Sequence, residues 1–237
     1  MSTHPYYPRF TYFNQQLENF DWTNSKILDY GGNWGNLLRD PSSTIPQENY
    51  WCIDVSEDAI NQGKQDYPNA HWYYYNKWNH CYNSNGDKSL KIPSLETKFD
   101  LITAFSVVTH VTEEDMIDII YHDLFPLLNT NGILAFTLLE PSALVYFAKK
   151  RGLSLIEITK LLSKAAAHKD SLYYINSDII IGVDQPVPLP SSDFFVSFYS
   201  IERAKKIFSN NLLDIKKPAN SEIQYCVFLK NHPAQEE

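Results

Sequence analysis

The feature that most constrains the fold is a buried strand that runs into a glycine-rich turn, at residues 26–38. Ile27 and Leu28 supply the apolar strand, and Asp29 follows them. The next residues, 31–35, read Gly-Gly-Asn-Trp-Gly. Glycine has no Cβ and adopts positive φ cheaply, so such a turn brings bare backbone close to a ligand. A helix is expected to begin after the turn, where its first N–H groups would be unpaired.

Strand and helix patterns alternate through the first part of the chain. Ser56 and Thr112 each precede acidic residues, which predicts two capped helices, and Asn131-Gly132 predicts a turn. The later predicted strands are Tyr50–Asp54, His71–Tyr75, Phe99–Phe105, Ile133–Leu139, Leu212–Lys216 and Ile223–Lys230. This alternation predicts an α/β fold, a doubly wound, seven-stranded, mostly parallel sheet.

Two segments fall outside the alternation, and we treat the whole chain, 1–237, as a single domain. Residues 1–24 carry apolar side chains at helical spacing from Phe10 to Phe20, which predicts a helix packed on the sheet or a lid over a ligand. Residues 141–199 combine an amphipathic helix with a proline- and aromatic-rich stretch before the last two strands. This insertion is predicted to cap the sheet edge or to form a subunit interface in a homodimer.

Composition excludes several classes of partner. The net charge of −8 and pI near 5.3 disfavour binding to nucleic acid. No apolar run approaches the length of a membrane span. The scattered Cys52, Cys81 and Cys226 indicate reduced thiols in a cytoplasm. His71, His80 and Cys81 lack a fourth ligand at structural-zinc spacing, so no metal is predicted.

Polar residues follow the predicted strands, and in a doubly wound sheet ligands bind at the carboxyl ends of the strands. Asp54 ends the second strand, where a carboxylate suits the hydroxyl groups of a ribose. Asn76 and Trp78 follow the third strand, and Ser106 to His110 follow the fourth. Trp78 or Phe105 would stack on an adenine.

The order of these motifs resembles the class I S-adenosylmethionine-dependent methyltransferases. The matching motifs are Asp29-Tyr30-Gly31-Gly32-Asn33-Trp34-Gly35, then Asp54-Val55-Ser56, then the run from Phe99 to His110. The resemblance covers about 20–140 and 200–230, and it implies a Rossmann-like fold with S-adenosyl-L-methionine as cofactor. The cofactor-binding residues that it implies are Asp29, Gly31, Gly32, Asn33, Gly35, Asp54, Val55, Asn76, Trp78, Phe105 and Ser106.

Asn33 stands where the family has a glycine. Asparagine tolerates the left-handed conformation better than other non-glycine residues, and its amide could bond the cofactor. A dinucleotide-binding turn is less well matched, because its third glycine would be Asn36. Asp29 would repel a pyrophosphate but fits the cationic amino group of a methionine.

The resemblance implies methyl transfer to an oxygen or nitrogen of a small-molecule or peptide natural product. His110 is the candidate base, because histidine titrates near neutral pH; the alternative is that it orders the loop or contacts cofactor. Tyr7, Tyr12, Tyr146 and Tyr173 are candidate contacts with the acceptor. A non-catalytic cofactor-binding or interaction module with the same fold remains the rival hypothesis.

Overall fold

The computed structural model describes residues 8–79, 82–150, 152–165, 171–175, 179–181, 195–217 and 224–232. Tyr7, His80 and Cys81 lie outside these residues, and so do the predictions made for them. Within the described ranges, no helix is long and apolar enough to cross a membrane.

A seven-stranded sheet runs in the order β3-β2-β1-β4-β5-β10-β9. Its strands are β1 (Ile27–Tyr30), β2 (Tyr50–Asp54), β3 (His71–Tyr74), β4 (Phe99–Ala104), β5 (Leu128–Leu139), β9 (Leu212–Lys216) and β10 (Gln224–Lys230). β1 pairs in parallel with β2 on one side and with β4 on the other. β10 is antiparallel to both of its neighbours. The predicted fold class is confirmed.

The helices that pack on the faces of this sheet are α1 (Arg9–Asn14), α2 (Glu57–Asp66), α3 (Glu113–Asp118) and α6 (Ile201–Ile207). The helices α4 (Leu144–Lys150) and α5 (Leu155–Ala165) lie in the insertion. Beyond α3 the chain continues as a π-helix, Ile119–Leu124, and a 3₁₀ turn, Phe125–Leu127. Short 3₁₀ turns also occur at Gln47–Asn49, Val108–His110 and Pro141–Ala143. Ser56 and Thr112 cap α2 and α3 with their side chains, as predicted.

Alternate residues of each strand belong to two separate apolar clusters. Leu28 packs in one cluster with Met116 of α3 and Ala204 of α6. Ile27 packs in the other with Phe13 of α1 and Ile60 of α2. Because successive side chains of a strand point to opposite faces, these clusters are the two faces of the sheet. The N-terminal aromatic residues therefore pack on the sheet, although α1 is shorter than the predicted helix.

The helix expected after the glycine-rich turn is not formed, and that prediction was wrong. Residues 31–42 are turns and bends, with isolated bonds from Asn36 N to Gly32 O and from Arg39 N to Gly35 O. Asn33 and Gly35 adopt φ of 56° and 90°. Two left-handed residues within three positions interrupt any helical run here. The chain consequently returns to β2 through turns.

The turn predicted at Asn131-Gly132 is also not a separate turn. β5 already begins at Leu128, and its pairing with β4 shifts between Leu128 and Ile133. Asn131 has φ of 67°, and its N–H donates to Asn231 O. The two residues form an irregular stretch inside one long strand, because the C-terminal chain supplies partners for their backbone.

The insertion contains a second sheet that the sequence pattern did not predict. Strands β6 (Ser171–Ile175), β7 (Ile179–Ile181) and β8 (Phe195–Tyr199) pair antiparallel in the order β7-β6-β8. Phe198 of β8 packs with Leu144 of α4 and Ile158 of α5. Aromatic and β-branched residues favour strands, but the intervening prolines obscured this preference.

Candidate active site

A cavity of about 1130 Å³ lies at the carboxyl ends of β1, β2 and β4. The order of the sheet reverses at β1, which is where open α/β sheets bind ligands. The predicted site residues that line it are Gly31, Asn33, Asp54, Val55, Trp78, Phe105, Ser106 and Tyr173. The predicted residues that do not line it are Tyr12, Asp29, Gly32, Gly35, Asn76, His110 and Tyr146.

Asn33 is left-handed, with φ of 56°, as its place in the motif requires. Its side-chain oxygen accepts a bond from Trp34 N, 2.9 Å away, so that oxygen serves the turn itself. The backbone N–H of Asn33 donates to Asp54 Oδ2 over 2.7 Å, and its carbonyl accepts from Cys52 Sγ over 3.3 Å. These two contacts fix the turn to β2.

Asp54 is the best-placed carboxylate on the cavity wall. Its second oxygen accepts from Ser56 N at 2.8 Å, so backbone N–H groups orient both oxygens. Burial raises the pKa of Asp54, while the bonds from Ser56 and Asn33 oppose that rise. Each carboxylate oxygen can accept more than one bond, so two ligand hydroxyl groups can still be bound.

Asp29 lies beneath the turn and not in the cavity. The side chain is 1% exposed, and it accepts bonds from Tyr50 Oη at 2.8 Å and Thr103 Oγ1 at 3.0 Å. Burial raises the pKa of Asp29 despite the nearby charge of Arg9. A Cβ at Gly32 would lie 2.6 Å from Asp29 Cγ and 2.8 Å from Cys52 Sγ. The structure therefore favours Asp29 as support for the turn over the direct contact expected from the motif.

Asn76 holds a loop and does not line the cavity. Its Oδ1 accepts from Tyr74 Oη and from Asn83 Nδ2, both at 2.9 Å. Trp78 lines the cavity, but Lys88 Nζ stands 3.9 Å from its ring centroid. One face of the indole is thus covered by a cation.

Phe105 lines the cavity between a cation and a buried aromatic ring. The Arg9 guanidinium carbon lies 4.9 Å from the Phe105 centroid, and the Tyr12 ring meets Phe105 edge-on at 5.0 Å. Tyr12 is 1% exposed, so it packs behind Phe105 as a core residue. Arg9 itself lines the cavity, and sequence reasoning missed it because one arginine at the start of a short helix carries no signal.

His110 is buried in a short helical turn beside the cavity. Its Nδ1 lies 2.8 Å from Phe195 O, and its Nε2 lies 3.4 Å from Tyr82 Oη. Burial lowers the pKa of His110, which favours the neutral imidazole. Tyr82 lies in an asparagine-rich loop at the surface and lines the cavity.

The remaining candidates for contact with the acceptor, Tyr173 and Tyr146, lie in different places relative to the cavity. Tyr173 lines the cavity, and its hydroxyl accepts from Glu113 N at 2.8 Å. Tyr146 is 45% exposed on α4, away from the cavity.

His71, considered above as a possible metal ligand, stacks on Trp51 with ring centroids 4.1 Å apart. Among the described residues, no group of three or more side chains could hold a metal ion.

Comparison with known proteins identifies the domain that carries this cavity. Residues 28–134 match the family model of a methyltransferase domain. This segment of the chain is a methyltransferase domain. The matched segment contains β1 to the middle of β5, with the glycine-rich turn, Asp54 and His110. None of the curated proteins compared with this chain matches it.

Solved structures with the same fold cover nearly the whole chain. An S-adenosylmethionine-dependent methyltransferase from Clostridium acetobutylicum has a TM-score of 0.56 at 12% identity, over 95% of this chain and 91% of its own. A glycopeptide N-methyltransferase complexed with S-adenosylmethionine scores 0.54 at 9% identity, over 95% and 93%. A methyltransferase from Methanosarcina mazei scores 0.51 at 12%, over 95% and 98%. At these identities the likeness concerns the fold.

Proposed function

We propose that this methyltransferase binds S-adenosyl-L-methionine with its ribose on Asp54 and its amino-acid part at the Gly31–Asn33 turn. When bound, this cofactor supplies an activated methyl group on a good leaving group. The observation that carries the proposal is the Asp54 carboxylate, which lines the cavity with each oxygen oriented by a backbone N–H. Val55, Phe105 and Ser106 border the same end of the cavity.

Arg9 is proposed to bind the carboxylate of the cofactor. Its side chain lines the cavity, and its charge opposes the rise in pKa that burial causes at Asp29 and Asp54. Guanidinium groups bind carboxylates through two parallel bonds. The contact with Phe105 keeps the side chain over the cavity.

The acceptor is proposed to be a small molecule or part of a peptide, methylated at oxygen or nitrogen. The cavity of about 1130 Å³ exceeds the roughly 300–1,000 Å³ of a typical single-ligand pocket, so cofactor and acceptor both fit. Away from the turn its walls include Tyr82, Val111, Ile117 and Tyr173, which suit an apolar or aromatic group. A natural-product acceptor and a cytoplasmic location stay predictions.

Calorimetric titration with S-adenosylmethionine tests the cofactor proposal. Asp54→Asn should weaken binding by about tenfold or more, because a hydrogen bond to a charged group is worth about 1.5–3 kcal/mol. Asp66→Asn is the matched control, since Asp66 ends α2 and bonds the exposed Gln62. Wild-type protein that does not bind S-adenosylmethionine would refute the proposal. Unchanged affinity of Asp54→Asn would refute the ribose contact alone.

Methylation itself separates an enzyme from a non-catalytic binding module. The wild-type protein is incubated with S-adenosylmethionine and a panel of simple phenols and primary amines, and S-adenosylhomocysteine is quantified. We expect product with at least one class. Tight cofactor binding without product from the panel or from peptides that carry the same groups would favour the binding module.

The predicted homodimer through the cap and the single-domain organisation stay proposals. Leu155 and Ile156 of α5 are 76% and 70% exposed, an apolar surface of the kind that dimer interfaces bury. Sedimentation of the wild type and of Ile156→Lys measures the oligomeric state directly. A monomeric wild type would contradict the dimer.

A further inference from the structure

Tyr82 and His110 form a pair at the end of the cavity away from the glycine-rich turn, where the acceptor is proposed to bind. Tyr82 lines the cavity and is 63% exposed, whereas His110 is 9% exposed and does not line it. Tyr82 Oη and His110 Nε2 are 3.4 Å apart, and the two rings meet edge-on with centroids 5.4 Å apart. His110 therefore reaches the cavity through the phenol of Tyr82.

The contact with Phe195 determines which nitrogen of His110 carries a hydrogen. A carbonyl oxygen only accepts, so Nδ1, 2.8 Å from Phe195 O, must donate. In the neutral ring Nε2 then has a lone pair and accepts from the hydroxyl of Tyr82. The imidazole is thus oriented on one side by the backbone of β8 and ready to take a proton on the other.

The loop that presents Tyr82 is itself closed by hydrogen bonds. Asn79 and Asn83 exchange backbone bonds of 3.0 and 2.9 Å, and Tyr82 N donates to Asn79 Oδ1 at 3.0 Å. Asn83 Nδ2 also bonds Lys77 O, and Asn76 as described above. This arrangement holds the backbone of Tyr82 and explains why Asn76 is turned away from the cavity.

We propose that Tyr82 is the catalytic residue that takes the proton from the acceptor, and that His110 is the positioning residue that receives the proton of Tyr82. The proposal rests on the proposed function and deepens it. It assigns the acceptor to groups that carry a removable proton, hydroxyl or amine, and disfavours a carboxylate, which needs no base. The 3.4 Å separation is at the long end for a hydrogen bond, as is common before ligands bind.

The step is balanced in atoms and charge. A lone pair of the acceptor oxygen or nitrogen forms the new bond to the methyl carbon, and the carbon–sulfur bond breaks with its electron pair left on sulfur. The acceptor's proton passes to Tyr82 Oη while the Tyr82 proton passes to His110 Nε2. The products are the methylated acceptor, a neutral thioether and an imidazolium, which then loses its proton to water.

Three of the acidic residues that line the cavity are engaged in holding the structure. Glu113 forms a two-bond pair with Arg203, and Asp115 accepts from the cap residue Thr112. Asp118 pairs with His122 on the same helical segment. Tyr173 Oη accepts from Glu113 N. Glu114 lines the cavity on the exposed side of α3 and is the rival base that the experiment must separate.

Nitrogen NMR of the histidine rings, with S-adenosylhomocysteine bound, tests the pair without turnover. We expect His110 to be the Nδ1–H tautomer, and its Nε2 resonance to move when Tyr82→Phe removes the hydroxyl. Tyr121→Phe is the matched control, because Tyr121 packs against Phe125 and Phe208 outside the cavity. An Nε2–H tautomer, or an Nε2 resonance that Tyr82→Phe leaves unmoved, would overturn the pairing.

Kinetics with the phenol or amine that the wild type methylates tests the catalytic role. Tyr82→Phe and His110→Gln should each lower kcat by about 100-fold, the range of general-base catalysis, with the Kd of S-adenosylhomocysteine within about twofold. The double variant should cost little more than either single change. The acidic limb of the pH profile, where protonation of His110 stops it from accepting a proton, should be lost. A Tyr82→Phe enzyme within about threefold of wild type, with turnover lost in Glu114→Gln, would overturn the proposal. A wild-type protein that does not bind the cofactor would instead refute the proposed function.

Discussion

The two ends of the cavity are held by contacts of very different range along the chain. At the turn end, Asn33 is bonded to Asp54 and Cys52, which are 21 and 19 residues away on the adjacent strand. At the cap end, His110 is bonded to Phe195 and Glu113 to Arg203, across 85 and 90 residues. The family match spans 28–134, so it includes the turn and omits the cap side of these long-range contacts.

Because of this difference in range, the two ends of the cavity depend on different parts of the fold. The turn end is part of two paired parallel strands and is fixed as soon as the sheet forms. The cap end is fixed only when β8 and α6 pack against the residues that follow β4. We therefore expect changes at the turn to act on the cofactor, and changes at the cap to act on stability and on the acceptor.

The largest effect is expected from Gly32→Ala at the turn end. The added Cβ would lie 2.6 Å from Asp29 Cγ, below any normal contact. Overpacking of this kind costs about 1–3 kcal/mol, so we expect S-adenosylmethionine affinity to fall by roughly 5–150-fold. Calorimetry measures the affinity for S-adenosylmethionine, and thermal unfolding measures the loss of stability.

The matched control for that change lies in the cap. Gly152 has φ of 79° but no atom within 4 Å of an added Cβ. Gly152→Ala should lower stability by about 1 kcal/mol through backbone strain and leave cofactor affinity unchanged. Equal losses of affinity in both variants would abolish the distinction between the two ends.

Breaking the Glu113–Arg203 pair should give the next largest effect. Both side chains are largely buried, 14% and 23% exposed, so Arg203→Gln leaves the carboxylate poorly compensated. We expect a loss of about 2 kcal/mol in the free energy of unfolding, below the full value for buried pairs because some solvent remains. Urea unfolding measures this loss.

The exposed pair Glu202–Lys205 on the same helix provides the comparison for Arg203. Lys205→Gln should cost no more than about 0.5 kcal/mol, as is usual for surface ion pairs. Cofactor affinity should remain close to wild type in both variants. If Arg203→Gln weakened the cofactor as strongly as Asp54→Asn, the cap and turn ends would not be independent.

The smallest predicted effect is a pH dependence from His110. Burial lowers the pKa of His110 in the folded protein below the ordinary 6.5. Above about pH 6.5 both the folded and unfolded states are neutral here, and the contribution to stability is complete. As the pH falls toward the folded pKa the unfolded chain binds the proton first, so stability is lost.

That loss is measured against a variant without the imidazole. Between about pH 7 and about pH 5.5, wild-type protein should lose roughly 1 kcal/mol more stability than His110→Gln. Glutamine keeps an N–H donor for Phe195 O. A steeper loss in the variant would mean that His110 is stabilised in its charged form.

Much of the fold was predictable because its determinants are local. The apolar runs of β1, β2 and β4, the caps Ser56 and Thr112 and the left-handed Asn33 each follow from neighbouring residues. The absence of a helix after the turn was not predicted, although the left-handed Asn33 and Gly35 together explain it. The second sheet was missed because its strands are short and the stretch between β7 and β8 is rich in proline, so the periodicity is unclear.

The site was predictable only where a ligand meets backbone. Gly31, Asn33 and Asp54 line the cavity because their strand ends are adjacent, which strand order alone implies. Asn76 and Asp29 carry suitable groups but bond to the protein, and nothing in the local sequence distinguishes those cases. Tyr82 gave no signal at all, because its partner His110 is 28 residues away.

The sequence by itself determined the sheet, the glycine-rich turn and the carboxylate beside it. These depend on side-chain spacing and backbone preference within single segments. Only the tertiary structure decided which polar residues face the cavity and which are used to hold it. The reason is physical: a buried polar group must find a partner, and for Asp29, His110 and Glu113 those partners come from distant parts of the chain.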